Sequence, residues 1–297
     1  YFTPKFEDVP AGSKAFQLVV KGLKGGHSGM DIILGRANAN KVMNTLLLML
    51  TEKYNVRVAD IQGGSLRNAI PRESFVTVTV PEKYADQLVA YIPEFEEVVK
   101  EQFAAVEPDM SITAAPTEMP AKVMDKETIA NVIEAVAKYP NGVIAMSKDF
   151  EGTVETSSNL AIVKLVDGQI MTASLQRSLV DASKEELAEK MRKLLESCGA
   201  KAESSGSYPG WKPNVNSVIY NTMKKVYEDK YGKTPKTMVI HAGLECGILG
   251  SKYPNWDMVS FGPTLVFPHS PDEALKIDTV PLFWDFLVET LKNVPVK

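Results

Sequence analysis

Glu203-Ser-Ser-Gly-Ser-Tyr-Pro-Gly-Trp-Lys-Pro213 divides the chain. Its serines, glycines and prolines favour turns over any regular element, so it reads as a joint between two domains. The 297 residues leave room for both. On the N-terminal side, Phe16–Lys21 is a short β-rich run closed by glycines, and apolar residues recur at helical spacing from Ala37 to about Tyr54. Phe75–Val80 alternates as a strand, and Lys83 to about Glu101 reads as a charged helix. The order then recurs: a helix over Lys126–Tyr139, then two β-rich runs, Asn159–Val166 and Gln169–Gln176, around the hairpin pair Asp167-Gly168. Ser183-Lys-Glu-Glu186 has the form of a capping box opening a helix to about Cys198. This is an α+β domain of βαβ-type layers, duplicated or enlarged.

Beyond the joint the texture changes. A helix over Val215–Tyr231, a strand over Lys236–His241, a short helix over Leu244–Leu249, a strand over Asp257–Phe261 and a helix over Pro281–Leu291 alternate as in α/β folds. Two strands are few for a sheet buried on both faces, so this half reads as part of a larger α/β domain. The chain opens Tyr1-Phe-Thr-Pro-Lys-Phe-Glu7, without an initiator Met or a charged-then-apolar leader, and is expected to be the interior of a longer polypeptide.

Composition excludes several classes. Apolar residues make up 44% and charged residues 24%, as in ordinary globular proteins. Thirty-three Lys and Arg against 37 Asp and Glu give a net charge of −4, with no basic excess for nucleic acid. The longest apolar stretch, Leu46–Leu50, is far short of the ~20 residues of a membrane span. Two cysteines, Cys198 and Cys246, do not make a disulfide scaffold and fit a reducing, cytoplasmic compartment.

The chemistry centres on three histidines. His27 lies in Gly25-Gly-His-Ser-Gly29, where glycines let the backbone approach a ligand and the imidazole can donate to an oxyanion. The alternative is a tight turn whose histidine caps a neighbour. The segment is not GxSxG, so Ser28 is not read as a nucleophile. His269, between prolines in Phe267-Pro-His-Ser-Pro-Asp-Glu273, is held as a metal ligand requires, or else sits in a stiff surface loop. His241 heads His-Ala-Gly-Leu-Glu-Cys-Gly247, where Gly243 can present its amide and Glu245 can accept from a cation; a simple strand-to-helix turn is the other reading. Asn68 can hold a carboxylate or carbonyl, or form an Asx turn. The planar fork of Arg177 suits a carboxylate, although an ordinary surface cation reads the same. Glu96-Glu97 reads as the solvated face of a helix.

Five segments in order, GLKGGHSGMDI (22–32), GGSLRNAIPRESF (63–75), SLQRS (174–178), HAGLECG (241–247) and FPHSPDEALKID (267–278), resemble the bacterial aminoacyl-histidine dipeptidases of the M20 family of di-zinc peptidases. The resemblance runs from about Lys14 to the C-terminus. It departs at Met30-Asp31, where Gly-Glu is expected. It implies a lid domain over 12–203, joined to residues 1–11 and 204–297 as the C-terminal part of an α/β catalytic domain of zinc-peptidase type. The implied activity is hydrolysis of dipeptides with C-terminal histidine by the full-length enzyme, using two Zn2+ ions. His27 would stabilise the oxyanion, Asn68 and Arg177 would hold the substrate backbone and carboxylate, Gly243 and Glu245 would line the pocket, and His269 would be the last zinc ligand. None of the three histidines is followed two positions later by Asp, as the family's first metal ligand is. The resemblance therefore places the remaining ligands and the general base upstream, and implies that this chain neither turns over substrate nor binds zinc stoichiometrically by itself. It allows a homodimer. Other M20 activities, a broad dipeptidase or a carboxypeptidase, stay open, as does a non-catalytic binding or dimerisation module.

Overall fold

The computed structural model describes residues 1–211, 214, 216–239, 245–266 and 273–295. They form two compact units that divide between Ser207 and Tyr208.

In chain order the first unit contains β1 (Phe6–Asp8), β2 (Ser13–Lys21), β3 (Gly26–His27), α1 (Ala39–Tyr54), β4 (Arg57–Gly63), β5 (Ala69–Ile70), β6 (Ser74–Pro81), α2 (Ala85–Phe103), β7 (Ser111–Pro116), β8 (Lys122–Met124), α3 (Lys126–Lys138), β9 (Gly142–Met146), β10 (Val154–Val166), β11 (Gln169–Ser178) and α4 (Asp181–Ser197). The main sheet has the order β11-β10-β4-β6-β2-β7, with β9 also on β10. Its neighbouring strands are all antiparallel. Because β2 and β4 both oppose β6, they run parallel to each other with β6 between them. The same holds for β6 and β7 around β2. These are two split βαβ crossovers, and the β10–β11 hairpin enlarges the sheet beyond β4.

Alternation sets the inner face. Val76, Val78 and Val80 are buried, as are Phe16, Leu18 and Val20 opposite, while Phe75 and Thr77 are half-exposed. Against the inner face lies α1, whose Val42, Met43, Leu46, Leu47 and Leu50 recur at helical spacing. Its start is fixed by Asn38, whose Oδ1 accepts from the amides of Asn40 and Lys41 at 3.0 and 3.2 Å. Asp125 caps α3 in the same way, through the Thr128 amide. Asp167 (φ 50°) and Gly168 (φ 76°) make the left-handed pair that turns β10 into β11. Phe2 bridges to Ile170 and β1 pairs with β8, so residues 1–11 pack within the first unit.

Two expectations are corrected. α4 begins at Asp181, so Ser183 lies inside the helix with its hydroxyl donating to Glu155 at 3.4 Å, and the capping box does not form. Among the described residues, 236–239 and 257–261 carry no strand. An extended segment becomes a strand only by pairing, and Asp257 instead accepts from the Ile219 amide at the head of a helix.

The second unit contains α5 (Val218–Tyr231), α6 (Glu245–Lys252), a two-residue ladder of β12 (Leu265–Val266) with β13 (Ala274–Leu275), and α7 (Thr279–Asn293). Helices α5 and α7 pack through Tyr227 and Phe286, with ring centroids 5.3 Å apart. Tyr253 stacks on Trp256 at 4.3 Å. Trp284, Leu282 and Leu291 on α7 are more than half exposed, a large apolar area for a soluble surface.

One ion ties two helices together. Nζ of Lys41 on α1 donates to the carbonyls of Val136, Ala137 and Tyr139 (2.6, 3.1 and 2.6 Å) at the end of α3. Burial pushes its amine down to about 8. Between about pH 8 and the ordinary lysine value the unfolded chain holds a proton that the folded chain has released, so stability from this group rises with pH there. The stability of the wild type relative to Lys41→Met is therefore expected to increase from pH 8 to pH 10. Urea unfolding at both values checks this, and a constant difference would sink it.

Candidate functional site

The site grows from a two-residue ladder. β3 pairs antiparallel with β5, Gly26 opposite Ile70 and His27 opposite Ala69. Gly26 has φ 132°, and a Cβ there would lie 2.5 Å from Asp31 Oδ2 and 2.7 Å from Arg36 Nη1, so only glycine fits. The turn after His27 is braced from within. Asp31 Oδ2 accepts from the His27 amide at 2.8 Å, and the Asp31 amide donates back to the His27 carbonyl at 2.9 Å. Arg36 donates to the Gly25 carbonyl at 2.5 Å. The Met30-Asp31 departure thus supplies the carboxylate that fixes the backbone of His27.

The imidazole has a defined role in this turn. Its Nδ1 accepts from the amides of Gly29 and Met30, both at 3.2 Å. An accepting Nδ1 carries no hydrogen, which puts the ring proton on Nε2. Nε2 lies 3.5 Å from Nη2 of Arg177. A guanidinium only donates, so this approach brings two donors together rather than making a hydrogen bond. Adjacent donors of this kind suit anionic or strongly polarised oxygens.

Arg177 comes from the far end of β11, where it faces Ser157 of β10. Its side chain is buried, with Nε 3.4 Å from Oγ of the buried Ser28. Asn68 arrives through the β5 turn: its carbonyl accepts from the Ser28 amide at 2.8 Å, next to His27. Entry to that turn passes through Gly64 (φ 71°), where a Cβ would collide with the Ala161 carbonyl at 1.8 Å. His27, Asn68 and Arg177 are therefore brought together by β3, β5 and β11. Glu245 is the exposed first residue of α6 in the second unit. Gly243 and His269 lie outside the described residues, as does His241. Among the described residues no group of three or more His, Cys, Asp and Glu stands together in a way that could hold a metal ion.

One residue carries no sequence signal. Glu107 is buried, and its carboxylate joins the two ends of the His27 loop: Oε2 accepts from the Lys24 amide at 2.7 Å and Oε1 from the Ala37 amide at 3.1 Å. Neither periodicity nor a motif marks it, because a single Glu in an acidic turn reads as solvated. Glu107→Ala leaves two amides without their acceptor and is expected to lose about 2–4 kcal/mol of stability. Chemical denaturation measures this, and a loss below about 1 kcal/mol would show that the clamp carries little.

The M20-type peptidase dimerisation domain matches residues 19–107, which carry β3, α1, β5 and Glu107. Over those residues the chain is similar to the M20 peptidases. Within them it is similar to dipeptidases. It is 40% identical over 294 residues to the cytosol non-specific dipeptidase of Escherichia coli (strain K12), covering 98% of this chain and 60% of that protein. The crystal structure of aminoacylhistidine dipeptidase from Vibrio alginolyticus is 44% identical, with a TM-score of 0.91 over 100% of this chain and 60% of its own. The chain therefore spans about three-fifths of the length of each. The chain matches that structure with its own mixed α and β elements.

Proposed function

We propose that the full-length protein hydrolyses dipeptides, those with C-terminal histidine among them, and that this chain supplies the substrate grip. The observation that carries the proposal is the approach of His27 Nε2 to the Arg177 guanidinium at 3.5 Å, with Asn68 held beside them through Ser28. In a dipeptide the scissile carbonyl and the terminal carboxylate are separated by one residue. Two adjacent donors on one rigid frame suit that spacing. The Arg177 fork takes the carboxylate. Asn68 takes the substrate backbone. His27 donates from Nε2 to the scissile carbonyl oxygen, more strongly as that oxygen gains charge, which lowers the barrier and leaves ground-state binding little changed. The turn amides on Nδ1 keep that proton on Nε2 throughout. The same reading gives Gly243 and Glu245 to the substrate and His269 to a metal. M20 dipeptidases are metallopeptidases, and a bound metal, which we take to be zinc, would supply the Lewis acidity that makes water nucleophilic. The described residues offer no three-ligand cluster, so they contribute grip and polarisation.

We take residues 12–203 as the lid, with 1–11 packed against it, and 204–297 as part of the catalytic domain, and take the compartment to be cytoplasmic. The match over residues 19–107 supports a homodimer, which mass measurement in solution tests. The test of function is an assay of the full-length gene product on Gly-His and β-Ala-His, with and without chelator. Hydrolysis that requires metal is expected; hydrolysis indifferent to the chelator would overturn the reading. The 297-residue chain alone is expected to show neither turnover nor stoichiometric zinc in a binding titration. A second reading, a dipeptidase of broad specificity, is favoured by the similarity to the non-specific enzyme of E. coli. Comparable kcat/KM on dipeptides lacking histidine would select it.

A further inference from the structure

We infer that Asn159 is a positioning residue for the grip: its carboxamide fixes the turn that carries Asn68 and, through Ser28, the approach of His27. The inference rests on the dipeptide reading above. Asn159 is 1% exposed, on β10. Its Nδ2 donates to the carbonyl of Arg67 at 3.3 Å and to that of Ala69 at 2.7 Å, the residues on either side of Asn68. Only an NH2 can serve two carbonyls, which assigns the orientation of the amide. Its Oδ1 is buried with no hydrogen-bond partner among the described residues. A buried acceptor left unmet is destabilising, so stability alone does not account for the side chain.

The placement of Asn159 in the sheet gives its role. Residues two apart on a strand share a face, and directly opposed residues of an antiparallel pair share it too. Ser157 lies two residues before Asn159 and faces Arg177 across the β10–β11 pair. Asn159 and Arg177 therefore stand on one face of a continuous hairpin. From that face one strand holds the carboxylate-binding side chain across the ladder and the Asn68 turn by its own carboxamide. The Asn68 carbonyl then receives the Ser28 amide, adjacent to His27. β10 thereby sets the separation between the three gripping groups. An error of about 1 Å in such a separation is enough to lower catalysis about a hundredfold.

The test uses Asn159→Leu, which keeps the branching of the side chain and removes both donors, with Asn159→Ser as a second variant should the first fold poorly. In the 297-residue chain, hydrogen exchange of the Ser28 and Ala69 amides is expected to accelerate at least about tenfold. The paired amides of β10 and β11 should stay as slow as in the wild type. In the full-length protein kcat/KM should fall about 10- to 100-fold, and adding Asn159→Leu to Asn68→Ala should cause little further loss, because both act through one turn. Unchanged exchange at Ser28 and Ala69, or losses that multiply in the double variant, would overturn the inference. Should the full-length wild type cleave no dipeptide, the functional reading fails, while the exchange result still decides the clamp.

Discussion

Arg177→Met in the full-length protein is expected to lower kcat/KM for dipeptides by about two to three orders of magnitude, with most of the loss in KM. Arg177 is buried at the end of β11 and held near Ser28 Oγ, so its fork is oriented before substrate arrives. A buried charge pair to a carboxylate that loses one partner loses about 2–5 kcal/mol, and each 1.4 kcal/mol is a factor of ten. Arg177→Lys keeps the charge without the fork and should recover only part of the loss. The decisive comparison is between a dipeptide and its C-terminal amide. The wild type should strongly prefer the free acid, and Arg177→Met should treat the two alike because the group that tells them apart is gone. A variant that keeps the preference for the acid would place the carboxylate elsewhere.

His27→Ala should show the opposite split. The imidazole donates to an oxygen whose charge develops in the transition state, so its removal is expected to lower kcat by about 10²–10³ and to leave KM within a few-fold. His27→Gln restores a donor at nearly the same reach and should regain part of the rate. The fold should tolerate both changes, because the turn around residue 27 is also held by Asp31, Arg36 and Glu107. Thermal unfolding of each variant beside its kinetics separates lost chemistry from lost structure. A rise in KM at constant kcat would make His27 a substrate-binding residue instead.

Much of the first unit was legible because its local signals agree with its long-range contacts. Val42 to Leu50 keep a helical period that the sheet rewards, and Asp167-Gly168 has few conformations besides the hairpin it makes. β4 was not legible. Arg57-Val-Ala-Asp-Ile-Gln-Gly63 is mostly buried as an inner strand, so the polar–apolar alternation that would mark it is absent. β7, with two alanines and a terminal proline, has little strand propensity and exists because β2 offers an edge. Ser183 misled for the reverse reason: its spacing to Glu186 fits a cap, but the chain leaving β11 turns helical two residues earlier. In the site, His27 stood out through the glycines around it. Asn159 could have been found as an amide at the head of the apolar run Leu160–Val163, and Glu107 could not, since its partners are backbone amides 70 and 83 residues away.

The chain's three tryptophans, Trp211, Trp256 and Trp284, all belong to the second unit. Light absorbed selectively by indole is therefore emitted from that unit alone, whereas the residues carrying His27, Asn68 and Arg177 are dark at that wavelength. Emission followed during unfolding thus gauges the second unit, while far-ultraviolet dichroism sums the helices and strands of both, with no label added. Wherever the two halves melt apart, their curves will part, and each can be given its own midpoint.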